Sequence, residues 1–200
     1  IVFDHVSFNY DSSEEAHDEK LSFAGSKRQK CLDDIDFSIK KGGSLGIIGA
    51  TGSGKSTIIN LLMRFYDVNS GTIAVEGCPI NEVTRHSLRN SYGMVLQDTW
   101  LFSGTVHENI AYGRPDATRE EVIEAAKKAQ CHSFIQKLPQ GYDTEINDET
   151  GALSVGEKQL LSIARVVLAD PEILILDEAT SNIDTRTEVM ITAAMNDMMK

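Results

Sequence analysis

The eight residues Gly49-Ala50-Thr51-Gly52-Ser53-Gly54-Lys55-Ser56 follow the spacing G-x-x-x-x-G-K-[ST]. Glycines so placed let successive backbone N–H groups turn inward around phosphate oxygens, with no Cβ in the way. Lys55 adds a point charge for the outer phosphates. The Ser56 hydroxyl offers an oxygen ligand to Mg²⁺, and Thr57 follows in the same turn. A second run, Ile173-Leu174-Ile175-Leu176, ends in Asp177-Glu178. It predicts a buried parallel strand that delivers both carboxylates to its C-terminal edge, where open α/β sheets bind ligands. Asp177 would hold Mg²⁺, directly or through water, and Glu178 would polarise a water against the terminal phosphate.

These groups need elements to hold them. Leu45, Ile47 and Ile48 predict a short apolar strand before the glycine-rich loop. Ile58, Leu61, Leu62 and Phe65, at spacings of three and four, predict a helix over 56–65 behind it. A helix that starts in such a loop turns unpaired N–H groups and the positive end of its dipole toward an anion. Upstream, Ile1 to Tyr10 alternates as a strand, with Val2, Val6, Phe8 and Tyr10 among its apolar positions, and Ile35, Phe37 and Ile39 alternate as another before a turn at 41–43. A hairpin piece is expected at 71–77 and a strand at 92–96. Helices are expected at 118–130, 154–168 and 185–199, the first two opened by capping boxes at Thr118/Glu121 and Ser154/Glu157. Strands alternating with helices make the chain an α/β protein. The segment 98–168 lacks a strong strand and reads as a helical insert. Residues 11–30 carry blocks of acidic then basic charge without apolar periodicity, which reads as a mobile solvated loop.

Composition narrows the function classes. The chain has 200 residues, 41% of them hydrophobic, enough for a sizeable core. Nineteen Lys and Arg against 30 Asp and Glu give a net charge of −11, which disfavours a nucleic-acid partner. Cys31, Cys78 and Cys131 are sparse and form no C-x-x-C pair, as expected of reduced thiols facing a cytosol. No apolar stretch reaches transmembrane length, no signal peptide opens the chain, and the missing initiator Met predicts a piece of a longer protein.

Between the loop and the Asp177-Glu178 pair lies Leu153-Ser154-Val155-Gly156-Glu157-Lys158-Gln159. With the phosphate loop and Asp177-Glu178-Ala179-Thr180-Ser181, it resembles the nucleotide-binding domain of ABC transporters, whose signature is usually written L-S-G-G-Q. The resemblance covers nearly the whole chain, in order and spacing. The stretch from Gln97 to Val106, followed by Glu108-Asn109-Ile110, looks like the exporter branch. The resemblance implies a P-loop NTPase core of the RecA-like kind over 1–97 and 169–200, with an N-terminal antiparallel β portion. It implies a helical subdomain over 98–168 that carries the signature and meets the membrane domains.

Residue by residue, it implies that Tyr10 stacks on adenine and that Gln97 joins Mg²⁺ and the attacking water to the membrane domains. Gly49 through Thr57 hold the phosphates, and Asp184 belongs to the D-loop Ser181-Asn182-Ile183-Asp184. Ser154 and Gly156 face the ATP of a second nucleotide-binding domain, so two ATP molecules lie between two domains. The implied protein is an ATP-hydrolysing motor at the cytoplasmic face of a cell membrane. Two rivals stand beside it: a non-hydrolytic nucleotide-gated dimerisation module, against which Glu178 argues, and a soluble chromosome-repair ATPase, for which no heptad run or basic surface is found.

Three features depart from the family pattern. Val155 stands where the family has Gly, and Glu157 where it has Gln. A β-branched side chain crowds the backbone, and a carboxylate repels a phosphate, so an impaired signature is expected. This leaves open whether the partner domain is a second copy or a different chain with an intact signature. Residues 11–30 exceed the usual link. None of His5, His17, His86, His107 or His132 sits where the family carries its switch His.

Overall fold

A computed structural model describes residues 1–10, 31–96, 99–146, 153–177 and 185–198, except the side chains of Arg186 and Asp197. Its contacts divide into two units, Ile1–Arg89 and Asn90–Lys200.

The first unit is built on an antiparallel sheet. Strands β1 (Val2–Phe8) and β2 (Leu32–Ser38) precede helix α1 (Lys55–Leu62), which is followed by β3 (Ser70–Val75), β4 (Cys78–Pro79) and α2 (Arg85–Asn90). The strand order is β2-β1-β3-β4. Phe3 lies opposite Phe37 on one side and Ile73 on the other, and the two Phe rings stack at 4.5 Å. Phe3, Val6, Phe8, Leu32, Leu61, Leu62, Ile73 and Ile80 are buried.

The expected alternation in β1 is altered by a bulge. His5 adopts φ 49°, and the pairing register shifts on both neighbouring strands. An extra residue in a strand reverses which side chains face inward. Phe3 is therefore buried, and Val2, expected on the apolar face, is exposed.

Helix α1 also ends earlier than its periodicity suggests. Arg64 turns left-handed at φ 52°, and guanidinium groups take the freed carbonyls. Arg89 Nε donates to Met63 O at 3.1 Å, and Arg85 Nε to Arg64 O at 3.1 Å. Phe65 is thus outside the helix and exposed, beneath the Arg89 guanidinium at 4.7 Å.

The strand expected from Leu45, Ile47 and Ile48 does not form a ladder, and Ile48 is 98% exposed. An apolar run of this kind suits a strand paired on both sides. The antiparallel sheet of its own unit is made of β1 to β4 and does not include it.

The second unit packs helices around a two-stranded parallel ladder. Its elements are β5 (Tyr92–Val95), β6 (Gly104–Thr105), α3 (Val106–Ala111), α4 (Arg119–Lys128), α5 (His132–Ile135), β7 (Glu145–Ile146), α6 (Val155–Ala169), β8 (Ile173–Leu176) and α7 (Thr185–Met198), with a 3₁₀ turn at Gly141–Asp143. Tyr92 pairs with Ile173 and Val95 with Leu176. The short β6–β7 ladder was not visible in the sequence, because two residues per strand give no periodicity.

Helix α6 is the centre of this unit. Leu160, Leu161, Ile163 and Ala164 are at most 1% exposed, within a cluster that includes Val106, Ile110, Val122, Ala126, Ile135 and Ile191. Burial pushes the Cys131 thiol in this core up to about 12, so it stays a neutral packing group. Where the chain leaves α3 it passes close to α6. A Cβ on Gly113 would lie 2.2 Å from the Arg165 carbonyl oxygen.

Gly113→Ala is expected to force those two backbones apart and destabilise the second unit by more than about 1 kcal/mol, the scale of an overpacked contact. The midpoint of urea unfolding, followed by far-ultraviolet circular dichroism, checks this against a Gly77→Ala control. A Cβ at Gly77, with its φ of 79°, would be strained but would meet no atom within 4 Å.

Candidate functional site

The phosphate loop lies in the first unit. Its last glycine, Gly54, is the N-cap of α1 at φ 94° and makes no side-chain capping bond. A Cβ there would lie 2.7 Å from Leu32 Cδ2 and 3.0 Å from Cys31 O, so glycine is required by both its φ and its neighbours. The first helical bond runs from Ile58 N to Gly54 O at 3.1 Å. The N–H groups of Lys55, Ser56 and Thr57 precede it, and no acidic residue occupies the first turn. That combination leaves the positive helix end for an external anion.

The remaining loop residues shape the cradle. A Cβ on Gly49 would meet Ser53 Oγ at 2.5 Å, and Ser53 N donates to Ala50 O at 3.1 Å. Lys55 Nζ donates to Gly49 O at 2.7 Å and Ala50 O at 3.1 Å, so the ammonium is held across the loop. Thr51, Gly52, Ser53 and Ser56 are exposed. The residues fit a polyphosphate: the loop carries backbone donors and one cation, and no carboxylate.

Tyr10 stands over the same helix. Its hydroxyl donates to Thr57 Oγ1 at 3.3 Å, and Cys31 Sγ lies 3.2 Å from that oxygen. Sequence reasoning found Tyr10 and Thr57 but not Cys31, whose strand-start position gave no signal.

The second unit holds Asp177 and the signature. Asp177 follows β8, half-buried, with its N–H donating to Val95 O at 3.0 Å. The backbone bond extends the β5–β8 ladder to the carboxylate. An Asp carboxylate oxygen is a hard donor of the kind Mg²⁺ takes, and in the first unit the Ser56 hydroxyl is another, so each residue taken by itself suits the ion. Gln97, Glu178 and Asp184 lie outside the described residues.

Ser154 caps α6 as expected. Its Oγ accepts from Glu157 N at 3.2 Å, and Glu157 Oε2 accepts from Ser154 N at 2.8 Å. The carboxylate that departs from the family pattern thus has a structural task at the helix start. Ser154 and Val155 are exposed, whereas Gly156 is buried.

Two side chains that the sequence places within motifs but without a structural role of their own organise this unit. Gln159, 1% exposed on α6, donates from Nε2 to Leu96 O at 3.1 Å and accepts from Thr99 Oγ1. It therefore holds both residues that flank 97–98. Asn109, fully buried, accepts from Phe102 N at 3.1 Å and donates to Phe102 O and Thr105 O, each at 3.0 Å. Arg165 Nε donates to Asn109 O at 2.9 Å, and its guanidinium lies 5.3 Å from the centre of the Tyr112 ring. A buried amide with several backbone partners is a long-range feature that no local pattern announces.

An uncapped helix behind a glycine-rich loop with an invaginated lysine, together with a parallel strand ending in Asp, defines a P-loop NTPase fold. The ABC transporter family model matches residues 32–181. The chain belongs to that family, whose ATP-binding domains are ATPases. It is 50% identical over 182 residues to a fatty acid ABC transporter ATP-binding/permease protein of Mycobacterium bovis, covering 91% of this chain and 29% of that protein. It is 53% identical over 180 residues to an uncharacterized ABC transporter ATP-binding protein of Bacillus subtilis, covering 90% of this chain and 30% of the other. A solved bacterial Atm1-family ABC exporter with ATP bound superimposes with a TM-score of 0.84 at 43% identity, over 100% of this chain and 32% of that one. The chain thus spans about three-tenths of the relatives it matches. Among the described residues, no helix is long and apolar enough to cross a membrane.

Replacing Ser154 with Ala should cost about 1 kcal/mol of stability through the lost cap. Glu157→Gln should cost less than about 0.5 kcal/mol, because a Gln carbonyl can accept the same Ser154 N–H bond. Thermal unfolding of the two variants beside the unsubstituted protein gives the comparison.

Proposed function

We propose that this domain binds ATP with Mg²⁺ and drives export of a substrate by pairing with a second nucleotide-binding domain around two ATP molecules. The observation that carries the reading is the start of α1. Three successive N–H groups lie behind a glycine loop, beside a lysine already held across that loop and without a competing carboxylate. In this proposal the nucleotide supplies the phosphate that water attacks. Ser56 and Asp177 hold Mg²⁺ together with Gln97, and Glu178 takes the proton of the attacking water. Lys55 and the loop N–H groups, from Gly49 to Thr57, bind and orient the phosphates. Ser154 and Gly156 reach the nucleotide on the partner domain, and Asp184 is counted with the nucleotide-binding residues as part of the D-loop.

The division of labour follows the same reading. Residues 1–97 and 169–200 form the nucleotide core, and 98–168 form the helical part that meets the membrane domains at the cytoplasmic face. An exposed aromatic group supports that assignment. Trp100, Phe102 and Tyr112 lie in sequence as ring neighbours at 6.0 and 5.6 Å, and Trp100 and Tyr112 are both more than half exposed. Clustered exposed rings are suited to a protein partner. The relatives' remaining length, named as permease in the mycobacterial protein, is the kind of partner that would cover them.

Calorimetric titration with ATP and Mg²⁺ is expected to show binding that Lys55→Ala abolishes while the variant stays folded. Equal affinity in both proteins would remove Lys55 from the site. In the full transporter, Glu178→Gln should still bind ATP but release phosphate at least ~100-fold more slowly, the scale of a lost general base. Near-normal turnover would place the base on another residue.

A further inference from the structure

The Tyr10 ring is held from three directions. Its hydroxyl donates to Thr57 Oγ1 and accepts from Asn60 Nδ2, both at 3.3 Å, and both partners belong to α1. Its ring meets Phe8 edge-to-face at 4.9 Å and 84°, and Tyr66 edge-to-face at 5.0 Å and 89°. Tyr66 also touches Phe8, at 5.8 Å, so the three rings form a closed triangle. Yet Tyr10 remains 40% exposed. A ring held by two perpendicular neighbours and at its hydroxyl, with surface still open, is a preorganised platform. A free surface tyrosine would have to give up rotamer freedom to serve the same purpose.

The anchoring partners are informative because of where they sit. Thr57 and Asn60 lie in the first and second turns of the helix whose first N–H groups face the phosphate loop. Residues three apart share a helix face, so one stripe of α1 points both groups at the same hydroxyl. Tyr66 follows the helix, just past the Arg64 stop. A single rigid element therefore sets the phosphate donors and the aromatic ring together.

We propose that Asn60 and Tyr66 are positioning residues for base recognition, holding Tyr10 in a fixed relation to the phosphate-binding end of α1. The proposal rests on the reading of Tyr10 as the surface on which adenine stacks. Asn60 locks the ring through its hydroxyl and Tyr66 through a perpendicular ring contact. Neither needs to touch the nucleotide. Their contribution appears in affinity for the base-bearing ligand and not in affinity for phosphate alone.

The test compares two probes, ATP and inorganic tripolyphosphate, each with Mg²⁺, titrated into the full chain by calorimetry. Asn60→Ala and Tyr66→Ala should each weaken ATP about three- to tenfold, the range expected for one hydrogen bond or one ring contact. Tripolyphosphate binding should stay unchanged, which also shows that the variants fold. Tyr66→Phe keeps the ring and should restore ATP affinity. Tyr10→Phe removes the Thr57 bond as well as the Asn60 bond, so it should weaken ATP at least as much as Asn60→Ala, and adding Asn60→Ala to it should change little. If Asn60→Ala and Tyr66→Ala leave ATP affinity intact, or weaken both probes alike, the positioning role is overturned. Tyr10→Ala separates the two levels of the argument. Loss of ATP's advantage over tripolyphosphate in Tyr10→Ala, without any effect of Asn60 or Tyr66, keeps the stacking surface and removes its anchors. An undiminished advantage in Tyr10→Ala removes the stacking surface itself.

Discussion

The constraint on which the site depends is the unsatisfied start of one helix. Helices α3, α4 and α6 each begin with a complete capping box, from Thr105/Glu108, Thr118/Glu121 and Ser154/Glu157. In those boxes a carboxylate accepts a backbone N–H, and the same bond holds the Glu108 and Glu121 carboxyls below their ordinary range. Helix α1 has no such closure. Its N-cap is a glycine, and its first turn reads Lys-Ser-Thr. A glycine N-cap costs about a few tenths of a kcal/mol relative to a capping side chain, so this helix start carries a small local cost that an anion with several acceptor oxygens offsets. The acidic surplus of the whole chain does not oppose this, because the nearest charges and dipoles dominate at contact distance while distant surface charges are screened within about 10 Å.

Much of this was legible because the signals are local. Capping boxes occupy four residues, the phosphate loop eight, and the α6 stripe repeats every three or four. The bulge in β1 was not legible. Nothing in Asp4-His5-Val6 announces that His5 turns to φ 49°. The turn is held by contacts from a strand about 30 residues away, where His5 Nδ1 pairs with Asp34 Oδ1 at 2.7 Å. The end of α1 failed for the same reason, since the arginines that stop it come from α2. Leu45, Ile47 and Ile48 failed differently. Their composition reports the environment a buried parallel strand requires, and composition does not supply the partner.

Within the site, legibility followed the same division. Gly49 to Ser56 and Asp177 carry chemistry that dictates residue type. Gln159, Asn109 and Arg165 carry none. They matter because each bridges backbone atoms that are distant in sequence, such as Gln159 between Leu96 and Thr99 across some 60 residues. Gln159 reads in the sequence as one more polar residue on an amphipathic helix. Its burial at 1% exposure, with its oxygen and its nitrogen each satisfied, shows a strut. Truncating it would leave the Leu96 carbonyl and the Thr99 hydroxyl without that partner, so the penalty would exceed the loss of one bond.

The two helix starts also differ in how strongly each can draw an anion. At α6 the Glu157 carboxylate already sits on the Ser154 N–H, so part of the favourable end charge is used internally. Further N–H groups remain, at Val155 and Gly156, and among the described residues the Ser154 hydroxyl is seen only as an acceptor, from Glu157 N. At α1 no carboxylate competes, and a lysine adds a full positive charge. Under the proposed function, this physical asymmetry would make the α1 end the principal phosphate holder and the α6 end a weaker, neutral-donor contact. In a sandwich of two domains, the first would retain nucleotide on its own and the second would contribute only once the domains had closed.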